Sequence, residues 1–246
     1  MDPTAREAER IRAEYERRDS AAGATPSPWL DPVYRVELQE LESALLEELG
    51  RAGAPLTGAR ALEVGCGSGY FLARLLDYGA THAAGIDLLE ERIAVARERH
   101  PRLELVVGDA TGLPWPDGSF DLVTQFTCLS SVLDRSVRGA IAAEMWRVLA
   151  PGGAIVSYDV RAPRALLRAF RRVAGALTRR GEPGTPAEPV EVSELAGWFP
   201  DADLRHRSVG VDPDIGGLLA RLRLSPRLAA RVPALRIHEL VVARRR

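Results

Sequence analysis

Lysine and asparagine are absent from this sequence of 246 residues, so all 33 basic residues are arginines. We attribute this bias to codon usage and not to function. The 34 acidic residues leave a formal net charge of −1. That value excludes a global electrostatic field that would gather nucleic acid or an anionic membrane, so any macromolecular partner would have to be recognised by a local patch.

Cysteine is scarce as well, because Cys66 and Cys128 are the only two. Their number excludes a disulfide framework, and four scattered histidines offer no metal-ligand spacing, so we expect no metal site. No apolar run approaches the roughly 18 residues of a membrane span, and the charged N-terminus is unlike a signal peptide. We therefore expect a cytoplasmic protein without a transmembrane segment, either a monomer or a homodimer.

Short apolar runs alternate with helical segments along the chain. Five of these runs are bounded by Gly, Asp or Pro, as buried parallel strands are: 60–64, 83–87, 103–107, 120–125 and 154–159. A helix is predicted over residues 136–149, where the "APGG" that follows would end it. Repeated β-α units of this kind predict an α/β fold, a doubly wound sheet with helices on both faces.

The stretch "ALEVGCGSGY" joins the first predicted strand to a helix. Gly65, Gly67 and Gly69 form a G-x-G-x-G turn at the carboxyl end of the sheet, where open α/β sheets bind ligands. A nicotinamide fingerprint needs its third glycine one residue later, so this spacing does not favour a pyrophosphate. The alternative is a glycine turn formed for packing alone.

Three carboxylates stand at the ends of three successive predicted strands: Glu63, Asp87 and Asp109. Asp87 lies 22 residues beyond Gly65, a placement from which a carboxylate accepts hydrogen bonds from both hydroxyls of a ribose. Asp109 is placed to accept from an adenine amino group. Each acid alone is more often a helix cap or a solvated loop residue, but three in register with the glycine turn favour a nucleoside site.

Over residues 62–159 the sequence resembles the class I S-adenosylmethionine-dependent methyltransferases, especially bacterial enzymes that act on small molecules or lipids, including the quinone-methylating group. The matching segments are "LEVGCGSG", "GIDLLEERIAVAR", "VVGDATGLPWPDGSFDLV" and "EMWRVLAPGGAIVSYD". The resemblance implies a seven-stranded Rossmann-like sheet in the order 3-2-1-4-5-7-6 with its last strand antiparallel. Residues 203–211 and 236–243 are the candidates for the sixth and seventh strands.

The resemblance also implies S-adenosylmethionine as the cofactor. Glu63 would orient its amino-acid end, Gly65 and Gly67 would approach its methionine and adenosine parts, and Asp87 would hold the ribose. Leu88 and Ala110 would flank adenine. The further cofactor-binding candidates are Cys66, Asp109 and Gln125.

The acceptor side is expected after the fourth and fifth strands. Tyr158 and Asp159 are the candidate catalytic residues, and Arg161 is a candidate anion anchor. The alternative for all three is an internal ion pair with a packed tyrosine. Thr127 and Ser130 are candidate acceptor contacts, or else helix-cap and turn residues.

We expect two units: a helical lid or extension, residues 1–50, and the cofactor-binding domain, residues 51–246, with an insertion at about 162–200. The extension and the basic insertion are expected to cover the acceptor, because an open site would lose methyl groups to water. The apolar side chains proposed for this cover are Tyr15, Trp29, Tyr34, Leu166 and Phe170. The insertion also resembles a membrane-surface helix, with a helix packed on the domain as the alternative.

The function predicted from these residues is methyl transfer to a small molecule, such as a natural-product, glycan or lipid- or quinone-like precursor, by in-line displacement. Nucleic acid is not expected as the acceptor. The alternative is a protein that binds the cofactor for non-methyl chemistry or for regulation. A nicotinamide-dependent reductase is disfavoured by the glycine spacing and by the absence of a Tyr-x-x-x-Lys pair. His238 is expected to be structural.

Overall fold

The computed structural model of this chain describes residues 2–21, 31–162 and 186–246. Its centre is a seven-stranded sheet in the order β3-β2-β1-β4-β5-β7-β6. The strands are β1 (Arg60–Val64), β2 (His82–Asp87), β3 (Glu104–Val107), β4 (Phe120–Phe126), β5 (Leu149–Val160), β6 (Ala202–Val209) and β7 (His238–Arg245). Strands β1 to β5 pair in parallel, and β7 is antiparallel to both β5 and β6. The predicted strand order and antiparallel β7 are confirmed.

Helices precede the sheet and connect its strands. They are α1 (Pro3–Ala21), α2 (Pro32–Ala52), α3 (Tyr70–Asp77), α4 (Glu90–Arg99), α5 (Cys128–Ser131), α6 (Arg135–Val148), α7 (Val192–Trp198), α8 (Pro213–Arg221) and α9 (Arg227–Ala230), with a 3₁₀ turn at Pro233–Leu235. Aspartates at 31, 134 and 212 cap α2, α6 and α8, because each side chain accepts hydrogen bonds from two amides of the first turn. None of the helices that the structure describes is long and apolar enough to cross a membrane.

The sheet buries apolar side chains on both faces, as a doubly wound fold requires. One face packs against α6, where Val137, Ile141, Met145 and Val148 recur at helical spacing and are all buried. The "APGG" segment was predicted to end the helix and to precede the next strand, but the structure places it inside that strand. It lies within β5, because Phe120 pairs with Leu149 while Leu122 pairs with Ala154, and the extra residues form a bulge.

The opposite face of the sheet is covered by α2 and α3. Leu41, Leu45 and Leu49 of α2 are buried in the same cluster as Leu72 and Val242. Residues 32–50 therefore contribute to the core, and the division of the chain near residue 50 stays a prediction. Trp29, Leu166 and Phe170, and the basic segment to which the last two belong, lie outside the described residues.

Gly85 in β2 supports the turn that follows β1. A Cβ atom at this position would lie 2.7 Å from the sulfur of Cys66 and 2.9 Å from a methyl carbon of Leu72. Both neighbours are buried, so neither can move without disturbing the packing beneath the glycine turn.

We predict that Gly85→Ala lowers the free energy of unfolding by about 1–3 kcal/mol, because it overpacks this contact. Gly112→Ala is the matched control, since nothing lies within 4 Å of its added Cβ. Urea unfolding of the two variants provides the measurement. Equal stabilities would show that the turn does not depend on close packing at Gly85.

Candidate cofactor and acceptor site

The glycine turn after β1 has the backbone conformation that its sequence predicts. Gly65, Gly67 and Gly69 have φ angles of 70°, 50° and 76°, a region that other residues rarely adopt. The amides of Gly65 and Cys66 both donate to the carbonyl oxygen of Ile86, at 2.8 and 3.0 Å. The turn is thereby folded over the end of β2, and its backbone borders a cleft.

Asp87 fastens this turn to the beginning of α4. Its Oδ2 accepts a hydrogen bond from the amide of Gly67 at 2.8 Å, and its Oδ1 accepts one from the amide of Leu89 at 3.0 Å. Each carboxylate oxygen retains a further lone pair. Asp87 therefore orients the turn and still presents acceptor capacity toward the cleft.

Glu63 is buried at the end of β1, and 3% of the residue is exposed. Its Oε2 is the one buried side-chain oxygen or nitrogen in the described residues that has no hydrogen-bond partner. Burial, and then the charge of Asp87, raise the pKa of Glu63 well above its usual value. Such a group is poised either to stay protonated or to receive a cationic ligand.

A cavity of about 150 Å³ lies under α1 at the ends of β2 and β3. Asp87, Leu88, Asp109 and Ala110 line it, as the sequence predicts. One oxygen of Asp109 accepts hydrogen bonds from the amide and hydroxyl of Thr111, at 2.8 and 2.7 Å. The arrangement brings two carboxylates and two apolar side chains to one pocket.

Helix α1 forms the roof of this cavity through Thr4, Glu7, Ala8, Ile11 and Tyr15. Two polar contacts attach it to the loop after α5. Glu7 accepts from the amide of Leu133 at 2.6 Å, and Arg10 donates to the carbonyl of Ser131 at 2.5 Å. Tyr15 therefore lies in the roof of this cavity, beside Asp87 and Leu88. Its predicted contact with the acceptor and the movement of the helix as a lid stay predictions.

Arg92 of α4 connects α1 with the glycine turn. Its guanidinium carbon lies 4.0 Å from the centre of the Tyr15 ring, a cation–π contact. A Cβ on Gly67 would lie 3.6 Å from the same guanidinium. Arg92 was not predicted from the sequence, and the signal was its position in the first turn of α4, the helix that follows Asp87.

A second cavity, of about 390 Å³, opens between α2 and the glycine turn. Gly65, Arg92, Phe126 and Thr127 line both cavities, so the two are halves of one cleft. Thr127 has a φ of 58°, and this conformation turns the chain sharply after β4. Glu63, Cys66 and Gly67 line the second half.

The far wall of the second cavity is largely aromatic and aliphatic. Phe71 and Phe126 stack with ring centres 4.1 Å apart. Tyr34, Leu38 and Leu41 of α2 complete this wall. A flat, apolar molecule fits such a surface better than a charged one.

Three polar groups meet at the end of this wall. The hydroxyl of Tyr158 lies 2.7 Å from Nδ1 of His238 and 3.3 Å from Oε1 of Glu37. The same oxygen of Glu37 lies 3.3 Å from Nδ1 of His238. Burial, and then the charge of Glu37, raise the pKa of Tyr158 well above its usual value, so this phenol stays neutral and donates.

Of this cluster, Glu37 and Tyr158 line the cavity. The sequence analysis missed Glu37. The signal was its place in an i, i+3, i+4, i+7 stripe with Tyr34, Leu38 and Leu41 of α2, where a carboxylate interrupts an otherwise apolar face.

Asp159 does not border the cleft that the described residues form, as a catalytic residue would have to. It accepts hydrogen bonds from the side chains of Gln125 and Ser157 and from the amide of Ser130. Burial raises the pKa of Asp159. In the described part of the chain, neither Asp159, Gln125 nor Ser130 lines either half of the cleft.

Gln125 has a supporting position instead. Its Oε1 accepts from the amides of Cys128 and Leu129, at 2.9 and 3.3 Å, which fixes α5 directly beneath the cleft. Arg161 lies toward β6, where it donates to the hydroxyl of Ser208 at 2.8 Å and approaches Glu239 at 3.4 Å. These contacts are the internal ion pair that the sequence analysis kept as an alternative for Arg161.

Comparisons with known proteins agree with this geometry. The family described as a methyltransferase domain matches residues 61–153. A demethylmenaquinone methyltransferase from Roseiflexus sp. (strain RS-1) is 32% identical over 182 residues, which are 64% of this chain and 74% of that protein. An O-methyltransferase from Penicillium expansum is 30% identical over 138 residues, which are 54% of this chain and 49% of that protein.

A solved structure shows the same fold. It is an S-adenosylmethionine-dependent methyltransferase from Mesorhizobium loti, with a TM-score of 0.54 and 23% identity over 83% of this chain and 100% of that one. The family match covers the strands, glycine turn and acids that border the cleft. The chain therefore belongs to the class I S-adenosylmethionine-dependent methyltransferases of the small-molecule type.

Proposed function

We propose that S-adenosylmethionine binds across both halves of the cleft, with its sulfonium near Gly65 and Thr127. The observation that carries this placement is the unpaired, buried Oε2 of Glu63, which a ligand ammonium would satisfy. The free lone pairs of Asp87 would accept from the ribose hydroxyls. Leu88 and Ala110 would flank adenine, and the oxygen of Asp109 that Thr111 leaves free would accept from its amino group.

The cofactor supplies an activated methyl group, so the protein has to orient a nucleophile and exclude water. Helix α1 covers the adenosine half, and the wall of Tyr34, Phe71 and Phe126 borders the other half. We propose that this second half receives the acceptor. Thr127 lines both halves, so it lies beside the point where the methyl group would meet the acceptor.

The acceptor we propose is a planar, largely apolar ring that carries a hydroxyl group, such as a quinol or a phenol. The support is the aromatic wall that ends in the polar cluster of Glu37, Tyr158 and His238. The name of the Roseiflexus relative, a demethylmenaquinone methyltransferase, points to the same chemical class. We place the reaction in the cytoplasm. Both cysteines are free thiols, and the reducing cytoplasm keeps thiols in that state.

Glu37 is the group we propose to accept the acceptor's proton. Removal of that proton makes the oxygen, or the ring carbon beside it, more nucleophilic. Tyr158 would hold the carboxylate in place by donating to it, with His238 behind. This assignment moves the candidate base from Asp159, which is enclosed by its own hydrogen bonds, to a carboxylate that borders the cavity.

We expect the protein to bind S-adenosylmethionine and not NADH, because the turn has G-x-G-x-G spacing. Asp87→Ala should weaken cofactor affinity by about 1–3 kcal/mol through lost ribose hydrogen bonds. Isothermal titration of both ligands is the measurement. Asp77→Ala is the control, since Asp77 lies on the surface at the end of α3. Binding of NADH alone would overturn the proposed site.

For the acceptor, transfer of a labelled methyl group should be tested on a panel of naphthoquinols and phenols, with bulk RNA in parallel. We expect Glu37→Gln to lower kcat on the order of a hundredfold while KM changes little, because it removes the proton acceptor. Glu40→Gln, one turn along α2, is the matched control. Label found only in RNA would refute the acceptor class, and equal kcat values for the two variants would refute the role of Glu37.

A further inference from the structure

The corner between α8 and α9 exposes large apolar side chains. Leu222, Leu224, Leu228 and Val232 have exposed fractions of 61%, 46%, 44% and 40%. They are four of the eight large hydrophobic residues that are exposed in the described ranges, and they fall within eleven consecutive positions, 222–232. We call this set the leucine corner. Such a concentration of exposed apolar surface marks an interaction site.

The leucine corner is not a by-product of packing. The inner side of the same segment has its own small core, in which Ile215, Ala229, Ala230 and Leu235 pack with Val36 of α2. The backbone of the corner is also satisfied locally, since the amides of Leu222 and Leu224 donate to the carbonyls of Leu218 and Leu219 at 3.1 and 2.8 Å. The inner cluster and these backbone hydrogen bonds thus do not involve the outer apolar side chains.

The chain segment that carries the leucine corner has charges of one sign. From residue 215 to residue 238 the sequence contains no acidic residue, while five arginines occur at positions 221, 223, 227, 231 and 236. Arg227 and Arg236 face Glu40, and Arg227 also donates to Gln39 at 2.6 Å. Arg223 and Arg231 form no ion pair among the residues that the structure describes. This cationic surface contrasts with the nearly neutral whole chain.

Exposed leucine and arginine side chains that alternate along one short segment match the interface of an anionic bilayer. The apolar groups enter the acyl boundary, and the guanidinium groups meet the phosphates of the headgroups. We propose that the leucine corner docks the enzyme on an anionic lipid bilayer. A nucleic acid would use the arginines but would leave the leucines in water, so the bilayer accounts for more of the surface.

The leucine corner is connected through α8 to α2, the helix that lines the proposed acceptor half of the cleft. Helix α8 packs on α2 so closely that a Cβ on Gly216 would lie 2.9 Å from a methyl carbon of Val33. Tyr34 and Glu37, on the adjoining positions of α2, line the acceptor half of the cleft. Docking would therefore bring the acceptor cavity to the membrane surface, where an apolar acceptor concentrates. This consequence rests on the proposed acceptor class, but the docking itself does not.

The test is sedimentation of the full chain with vesicles of phosphatidylcholine alone or of phosphatidylcholine and phosphatidylglycerol at about three to one. We expect binding only to the anionic vesicles, weakened by added salt because exposed charges are screened. The double variant Leu222→Ser/Leu224→Ser should bind at least about tenfold more weakly, since it removes two inserted side chains. Arg223→Gln/Arg231→Gln should also bind more weakly.

The matched control is Leu46→Ser/Val95→Ser, which changes two side chains that are each 38% exposed on other helices. Thermal melts should show that all variants stay folded. The proposal is overturned if the wild type ignores anionic vesicles, if the control loses as much binding, or if the leucine variant changes only self-association or binding to duplex DNA. The assay contains neither cofactor nor acceptor, so failure of docking and failure of methyl transfer are separate results.

Discussion

A buried carboxylate with an unsatisfied oxygen, Glu63, is the constraint around which the site is arranged. Its burial beside Asp87 is unfavourable for a second negative charge. The strand order makes this proximity unavoidable, because β1 and β2 are parallel neighbours and their carboxyl ends lie at the same edge. Glu63 avoids the second charge when it is protonated, which its raised pKa favours. The glycine turn borders the same cleft, and α1 roofs its other half.

The parts of the fold that could be predicted from sequence are those with local signals. The parallel strands are short apolar runs. Three glycines at alternate positions indicate a tight turn, and all three have positive φ in the structure. The acids at 63, 87 and 109 could be located because a strand end fixes where its side chain lies. Asp87 and Asp109 line the cavity under α1 for that reason, and Glu63 lines the second half of the cleft.

Other parts depend on contacts between distant segments, which no local pattern reports. Glu37 and Tyr158 are 121 positions apart, and they meet only because α2 packs against the same face of the sheet as Tyr158. Asp159 was a reasonable catalytic candidate from its strand end, but its neighbours Gln125 and Ser130 enclose it. His238 reaches the ligand-binding edge because β7 is antiparallel, so its first residue lies where the other strands finish. It was expected to be structural, and its contact with Tyr158 makes it part of the polar cluster at the second cavity.

The central claim is that Glu63 receives the ammonium of the cofactor, and proton release on binding tests it most directly. The pKa of Glu63 is raised in the free protein, so this group is protonated where an ordinary glutamate is ionised. A bound cation favours the ionised form and lowers that pKa, so binding releases a proton and affinity rises with pH until free Glu63 ionises. Titration calorimetry in buffers of different ionisation enthalpy should show this release, and Glu63→Gln should abolish it and weaken binding. Equal proton release and affinity in the variant would contradict the account.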